Sequence, residues 1–543
     1  MRSRLRAVRD PKHVRKHIAR EPGEPAVARE RRWKHGPCRE VRRRTPMMND
    51  DGQSDSCIVP TKFANNVSPE ETAEQMEGRR LVKGNADESP MSRTQGWKED
   101  VQETLKRIRQ AVRREPKQRM TSLYHHVYRV ENLRAAYFSL KKNAAAGIDG
   151  ETWKHYGEEL EGNLERLSGR LRRGAYRAPA VRRVYIPKAD GRKRGLGIPA
   201  LEDKIVQSVV AQILSAIWEP EFKGFSYGFR EGRSAHDALD ALAVGIQQRA
   251  INWVLDADIR GFFDTISHEW LEKMIEHRVG DRRMTALIKK WLRAGVMEEG
   301  ELKRSEKGTP QGGLVSPVLA NIYLHYVFDQ WAQQWRKREA RGAMIIVRYA
   351  DDFVVGFEHR EEAERFQGEL SERLRKFELE LHEEKTRLIE FGRHAASRRR
   401  ESGEKKPETF NFLGFTHICG KTRGGMFVVI RKTMRKRMQA KLREMKKEFR
   451  RRMHTDLREQ GEWVSAVLRG HYRYYGVPFN SESLWSFAYH VQVLWHRALR
   501  RRSQRNRLTW ERFTKKVKRL VPAPRICHPY PSQRLSRRFA VTT

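Results

Sequence analysis

The segment Ala343–Phe357, AMIIVRYADDFVVGF, constrains this chain more than any other. Two apolar runs flank Tyr349-Ala350-Asp351-Asp352, a pattern that predicts a β-hairpin with an acidic pair at its turn. Adjacent carboxylates at the end of a buried strand pair are costly unless a cation compensates them. A second strand with the same conflict lies upstream at Trp253–Asp264, WVLDADIRGFFD, where Asp258 closes an apolar run interrupted by Asp256. Strands pair laterally, so Asp258 and Asp351 can meet in one sheet although far apart in sequence. Mg²⁺, hard and oxygen-seeking, suits such carboxylates. Three of them around two ions are what in-line nucleotidyl transfer needs: one ion acidifies the attacking hydroxyl and the other steadies the triphosphate. From the acids alone a two-metal nuclease fits as well. An isolated Asp-Asp is also an ordinary turn signal, and Asp256 and Asp264 read equally as solvated or capping residues.

Charge narrows the partner. The 543 residues carry 111 Lys+Arg against 69 Asp+Glu, a formal net charge of +42, so the expected partner is a polyanion. A membrane is disfavoured, because no stretch approaches the roughly 20 apolar residues of a spanning helix. The Arg-rich start, 1–44, has no apolar core of a secretory signal. Cys38, Cys57, Cys419 and Cys527 form no CxxC pair, which argues against a zinc knuckle or disulfide framework and fits a reducing cytoplasm.

The length allows about three or four domains at roughly 150 residues each. Residues 1–100 are polar, broken by Pro and Gly, and are expected to be a largely disordered basic extension. Its composition changes at Met47-Met48. From 101 to 395, strand-like runs alternate with helical patterns, as in an α+β enzyme. A polar stretch at 392–409 marks a boundary, and 396–500 is expected to be helical. From Arg431 onward Met434, Met438, Leu442, Met445 and Phe449 share one helix face. The opposite faces are basic: 431–452 hold 12 Lys/Arg and two Glu. Residues 501–543 read as a basic tail with no His-Asn-His or paired-cysteine nuclease pattern.

Nine segments together carry a resemblance. Tyr349-Ala350-Asp351-Asp352 and Asp258–Asp264 are preceded or separated by Ala146–Gly150, Ile186-Pro187-Lys188, Arg194–Pro199, Ser226–Arg230 and Gly308–Pro317, the last containing Pro310-Gln311-Gly312. Glu384-Lys385-Thr386 and Phe412-Leu413-Gly414-Phe415 follow. In this order, over roughly 120–415, they resemble the reverse transcriptases encoded in group II introns. Leu468–Gly476, LRGHYRYYG, resembles the RNA-binding maturase region of the same family, with His471 where many members have Trp. A Gly at 195, where many relatives have Pro, is a second departure.

The resemblance implies a right-hand polymerase, with fingers and palm built on an antiparallel sheet with helices, then an α-helical thumb and maturase region. Asp258, Asp351 and Asp352 would be catalytic and hold two Mg²⁺ ions (Mn²⁺ substituting), with the Ile259 carbonyl as a further ligand. Phe263 would sit against the sugar and exclude a 2′-hydroxyl; the alternative is a core ring. Gln311 would lie under the incoming nucleotide. Lys188 and Arg194 would meet the triphosphate, or else be surface cations. Lys385 would protonate the departing pyrophosphate, or else be solvated. Arg435, Lys436, Arg437 and Lys441 would contact RNA phosphates, and Arg469, Tyr472, Arg473 and Tyr475 would grip unpaired RNA, unless the tyrosines pack inward. The implied partners are the group II intron RNA, an RNA template with DNA primer, dNTPs and target DNA, in a bacterial-type cytoplasm, associated with nucleoid or ribonucleoprotein. The oligomeric state is open. So are a relative recruited to bacterial defence or diversity generation, and a splicing maturase with an idle polymerase.

Overall fold

The computed structural model describes residues 90–187, 193–298, 301–303, 306–309, 312–404, 406–503 and 508–540. Lys188, Gln311 and most of the N-terminal extension, including Met47-Met48, Cys38 and Cys57, lie outside the described residues, as do 504–507 and 541–543. Among the described residues, helices alternate with three small sheets, an α+β architecture. The first helix, Pro90–Arg114, runs across the expected boundary at 100 and buries Val101, Leu105, Ile108 and Val112, one face at helical spacing.

The strands in chain order are β1 (Val181–Pro187), β2 (Lys193–Ile198), β3 (Trp253–Asp258), β4 (Val296–Glu298), β5 (Glu301–Lys303), β6 (Met344–Tyr349), β7 (Asp352–Phe357), β8 (Arg387–Glu390), β9 (Phe410–Phe412), β10 (Phe415–Lys421) and β11 (Phe427–Thr433). The central sheet has the order β6-β7-β3-β8, with every pairing antiparallel. Its strands β6 and β7 are near-continuous buried runs because helices cover the sheet. Phe366, Leu370 and Leu374 of the helix Arg360–Lys376, for example, are fully buried. A second sheet, β2-β1-β4-β5, is mixed: β1 pairs β2 antiparallel but β4 in parallel, which departs from a purely antiparallel expectation.

Residues 410–433 correct the expected all-helical stretch. They form a third antiparallel sheet, β11-β10-β9, and the basic helix begins only at Arg435. The reason is local: FVVIRKT is rich in β-branched residues, Val428, Val429, Ile430 and Thr433, which favour a strand over a helix. Beyond it, the helices Arg435–Arg451, Leu457–Tyr475, Ser481–Arg500 and Trp510–Val517 share their own core around Met445, Phe449, Leu468 and Trp495. The expected tail is likewise largely structured. The helix Pro531–Ala540 returns to the helix Ala235–Gln248, where Arg534 pairs with Asp237 at 2.8 Å and Asp240 at 2.7 Å.

Candidate active site

The hairpin forms where expected, with β6 and β7 joined through Ala350 and Asp351. Asp258 and Asp352 are direct partners across β3 and β7, and Asp351 is the next residue in the turn. Asp256 lies two positions before Asp258, hence on the same face of β3, with Arg387 at 3.9 Å. Four acids therefore gather at one end of the sheet.

Their electrostatics follow. Asp352 is raised to about 7, first by desolvation and then by the charges of Asp351 and Asp258 and a hydrogen bond with Asp258. At the start of β7 the residue also keeps contact with solvent. Asp256 is raised to about 6 by desolvation, offset by Arg387. The Lys385 ammonium pairs with the Asp258 carboxylate and supplies one positive charge to the cluster.

Asp258 and Asp351, with Asp264, line a cavity of about 700 Å³. Arg183 and Tyr185, two apart on β1, lie on one of its walls with Gly195 and Leu196 of β2. Ile259 and Phe263 line the sheet side, and Gly312, Gly313 and Leu314 complete it. Phe263 is half-buried where it lines the cavity; its neighbour Phe262 also borders the cavity but is buried in the core. A larger cavity of about 1370 Å³ lies around Tyr176, His268 and Lys290, away from the acids, and none of the expected site residues lines it.

The floor under the Ala350-Asp351 turn is a buried ion pair that the sequence did not announce. Arg348 and Asp329 are both fully buried. Arg348 Nε donates to Asp329 Oδ1 at 2.6 Å and Nη2 to Oδ2 at 2.5 Å. Nη1 donates to Asn321 Oδ1 at 3.0 Å and the Ala350 carbonyl at 2.9 Å, and Nη2 also to Ser226 Oγ at 2.7 Å. All five guanidinium donors are thus used. Asp329 closes a π-helical turn, His325–Asp329. Ala350 itself has φ +58°, a region that disfavours a Cβ and costs on the order of 1–3 kcal/mol. Gly228 makes this turn possible by close approach: a Cβ there would stand 2.3 Å from the Ala350 nitrogen. Gly312, with φ +121°, does the same at the opposite wall, where a Cβ would meet the Gly197 carbonyl at 2.3 Å. Gln207 fixes that wall by accepting from the Leu314 N–H at 2.9 Å.

The other expected residues divide. Arg194 lies in β2, but its side chain is outside the described residues. Arg435, Lys436, Arg437, Arg469 and Arg473 are exposed, and Lys441 is half-buried beside Glu444 at 2.7 Å. Tyr472 is a correction: its ring is buried in the helical core and its hydroxyl donates to the Pro522 carbonyl at 3.2 Å, so it cannot stack on a base. Tyr475 is half-buried against Phe415 and His471. His471 stacks on Phe487 at 3.8 Å, the place of a core ring, and burial lowers its pKa to about 4. Arg183, Tyr185 and Arg348 are the residues that sequence reasoning missed. The two-residue spacing of Arg183 and Tyr185 in β1 was the available signal.

Among the described residues, no three His, Cys, Asp or Glu side chains are gathered closely enough to hold a metal as placed. The donor set nevertheless fits a hard divalent cation: clustered carboxylate oxygens, Asp352 among them raised by desolvation and then by its acidic neighbours, with a lysine cation against Asp258.

Residues 186–417 match the family described as reverse transcriptase (RNA-dependent DNA polymerase), and the segments that build the cavity fall almost entirely within them. This part of the chain is a reverse transcriptase domain. Its relatives include proteins named as group II intron-encoded. It is 39% identical over 209 residues to the group II intron-encoded protein LtrA of Lactococcus lactis, covering 38% of this chain and 34% of that protein. Similarity to the protein YkfC of Escherichia coli is 34% over 252 residues, 41% of this chain and 66% of the relative. The putative COX1/OXI3 intron 1 protein of Saccharomyces cerevisiae is 29% identical over 309 residues, 47% of this chain and 36% of the relative. The chain thus spans between about a third and two thirds of these relatives' lengths. Reverse transcriptase domains use divalent metal ions. No described helix is long and apolar enough to cross a membrane.

Proposed function

We propose that the protein is an RNA-directed DNA polymerase that copies its own group II intron RNA and also binds that RNA to assist splicing and retrohoming. The observation that carries this reading is the direct pairing of Asp258 with Asp352, beside Asp351, at the mouth of a cavity of about 700 Å³. Asp258, Asp351 and Asp352 would hold two Mg²⁺ ions, with the Ile259 carbonyl adding a ligand. When bound, such ions acidify the primer 3′-hydroxyl and neutralise the departing pyrophosphate. The chain's own groups then orient the reactants. The sheet containing β1 and β2 acts as fingers, and Arg183 is suited to the triphosphate. Lys385, which pairs with Asp258, would shift to a phosphate oxygen of the nucleotide. Phe263 sits against the sugar, and Arg348 holds the turn that carries Asp351. The central sheet is the palm, and the helical region after Arg435 the thumb and maturase portion. Its exposed cations, Arg435, Lys436, Arg437, Arg469 and Arg473, would take phosphates of the intron.

Two measurements test the two halves of this reading. Primer extension on an RNA template with dNTPs tests the polymerase, and a chain inert with both Mg²⁺ and Mn²⁺ would refute it. Sequencing the RNA that copurifies tests the partner. Recovery of bulk cellular RNA with no enrichment of an intron would remove the maturase half alone.

A further inference from the structure

The maturase-like segment turns its best stacking ring, Tyr472, into the core, whereas the next helix does the opposite. On Ser481–Arg500, Leu484, Phe487, Val491 and Trp495 fill the core. Trp485 and Tyr489, one helical turn apart on the other side, are 60% and 56% exposed. Trp510, which opens the following helix, is 37% exposed and packs edge-on against Tyr489 at 6.0 Å and His496 at 5.4 Å. Large rings held in water on one ridge leave apolar surface unburied, and such a surface marks a binding site more often than chance.

The surrounding charge selects the occupant. Arg497 and Arg500 are exposed on the same helix, and Arg512, Lys515 and Lys516 on the next. Of the acids at the starts of these helices, Glu482 is already paired with Lys432 at 2.9 Å, leaving the ridge flanked mainly by cations. A partner that offers flat π-faces and regular negative charge together is an unpaired polynucleotide, for which aromatic faces and arginines are the usual grip. We propose that Trp485, Tyr489 and Trp510 form a stacking ridge for unpaired RNA. The proposal rests on the reading that this chain grips RNA, and it names a surface distinct from Leu468–Gly476.

The test uses the full chain with labelled oligouridylate as the probe, titrated at several salt concentrations. Trp485→Ala and Tyr489→Ala are expected to weaken binding by about 5- to 150-fold per ring, the worth of one base stack. The dependence of affinity on salt stays at the wild-type slope, because no cation is removed. Trp485→Phe and Tyr489→Phe restore most of the affinity, and all four variants melt cooperatively. Wild-type affinity in the Ala variants overturns the proposal, as does equal weakness in the Phe variants. Altered self-association with oligouridylate affinity intact also overturns it and makes the ridge a protein interface. A wild-type chain that extends primers yet ignores oligouridylate removes the ridge and leaves the polymerase standing.

Discussion

Asp258 and Asp352 are register partners on adjacent antiparallel strands, so their carboxyls are held together by backbone pairing instead of by flexible side chains. Ladder hydrogen bonds fix that spacing, and the rigid sheet transmits it to Asp351 in the turn. Asp258→Ala and Asp351→Ala are expected to lower primer extension by at least ~10³-fold, several kcal/mol of transition-state stabilisation. RNA affinity stays near wild type, because binding rests on the basic surfaces. A filter-binding assay beside an extension assay checks both, and substantial extension by Asp351→Ala would refute the assignment.

Phe263 faces the cavity where the sugar of an incoming nucleotide is expected. Phe263→Ala opens that wall and is expected to reduce discrimination against ribonucleotides by about 10- to 200-fold, the range that small changes in an apolar pocket supply. Competing dNTP and rNTP in single-nucleotide extension measures it. Unchanged discrimination in an active variant would return the ring to a purely structural role.

The Arg348–Asp329 pair supports the turn through the Ala350 carbonyl. Arg348→Met strands the Asp329 charge and is expected to cost about 3–5 kcal/mol in stability. The double variant Arg348→Met with Asp329→Leu removes both charges and recovers most of that stability. Extension stays depressed, because the Ala350 carbonyl has lost its donor and the left-handed turn its support. Thermal melts and extension rates on the same samples separate the two effects; full activity in the double variant would reduce the pair to a stability element.

Asp203 gives a pH prediction away from the acids of the site. It is buried, accepts from the Tyr176 hydroxyl, and is raised to about 7, chiefly by desolvation. An unfolded Asp ionises near 3.9, so between about pH 4 and 7 the folded chain holds a proton that the unfolded chain has released. Stability therefore falls as pH rises through that window and levels off above it. Asp203→Asn keeps an acceptor for Tyr176 without the titration. Relative to the parent it is expected to gain about 1–4 kcal/mol near pH 8 and nothing below pH 4. Denaturant melts across pH check this, and parallel curves for the two proteins would place the Asp203 pKa near its ordinary value.

Short-range signals in the sequence make the core of this protein legible. Apolar runs broken by Asp258 and by Asp351-Asp352 specify strands and a turn through local propensity, and β3, β6 and β7 lie where those runs do. The helix face from Met438 to Phe449 was likewise readable from its spacing. What the sequence left undecided depends on contacts between residues far apart in the chain. A lone Arg348 in an apolar strand does not reveal that Asp329, Asn321 and Ser226 converge on it. The ring pattern of Leu468–Gly476 does not say which rings face water. Packing against Met445, Phe487 and Trp495 turned Tyr472 inward, and left Trp485 and Tyr489 outside. Periodicity gives each element a buried side; only tertiary packing chooses the neighbour that covers it, because burial energy depends on apolar area and not on position in the chain.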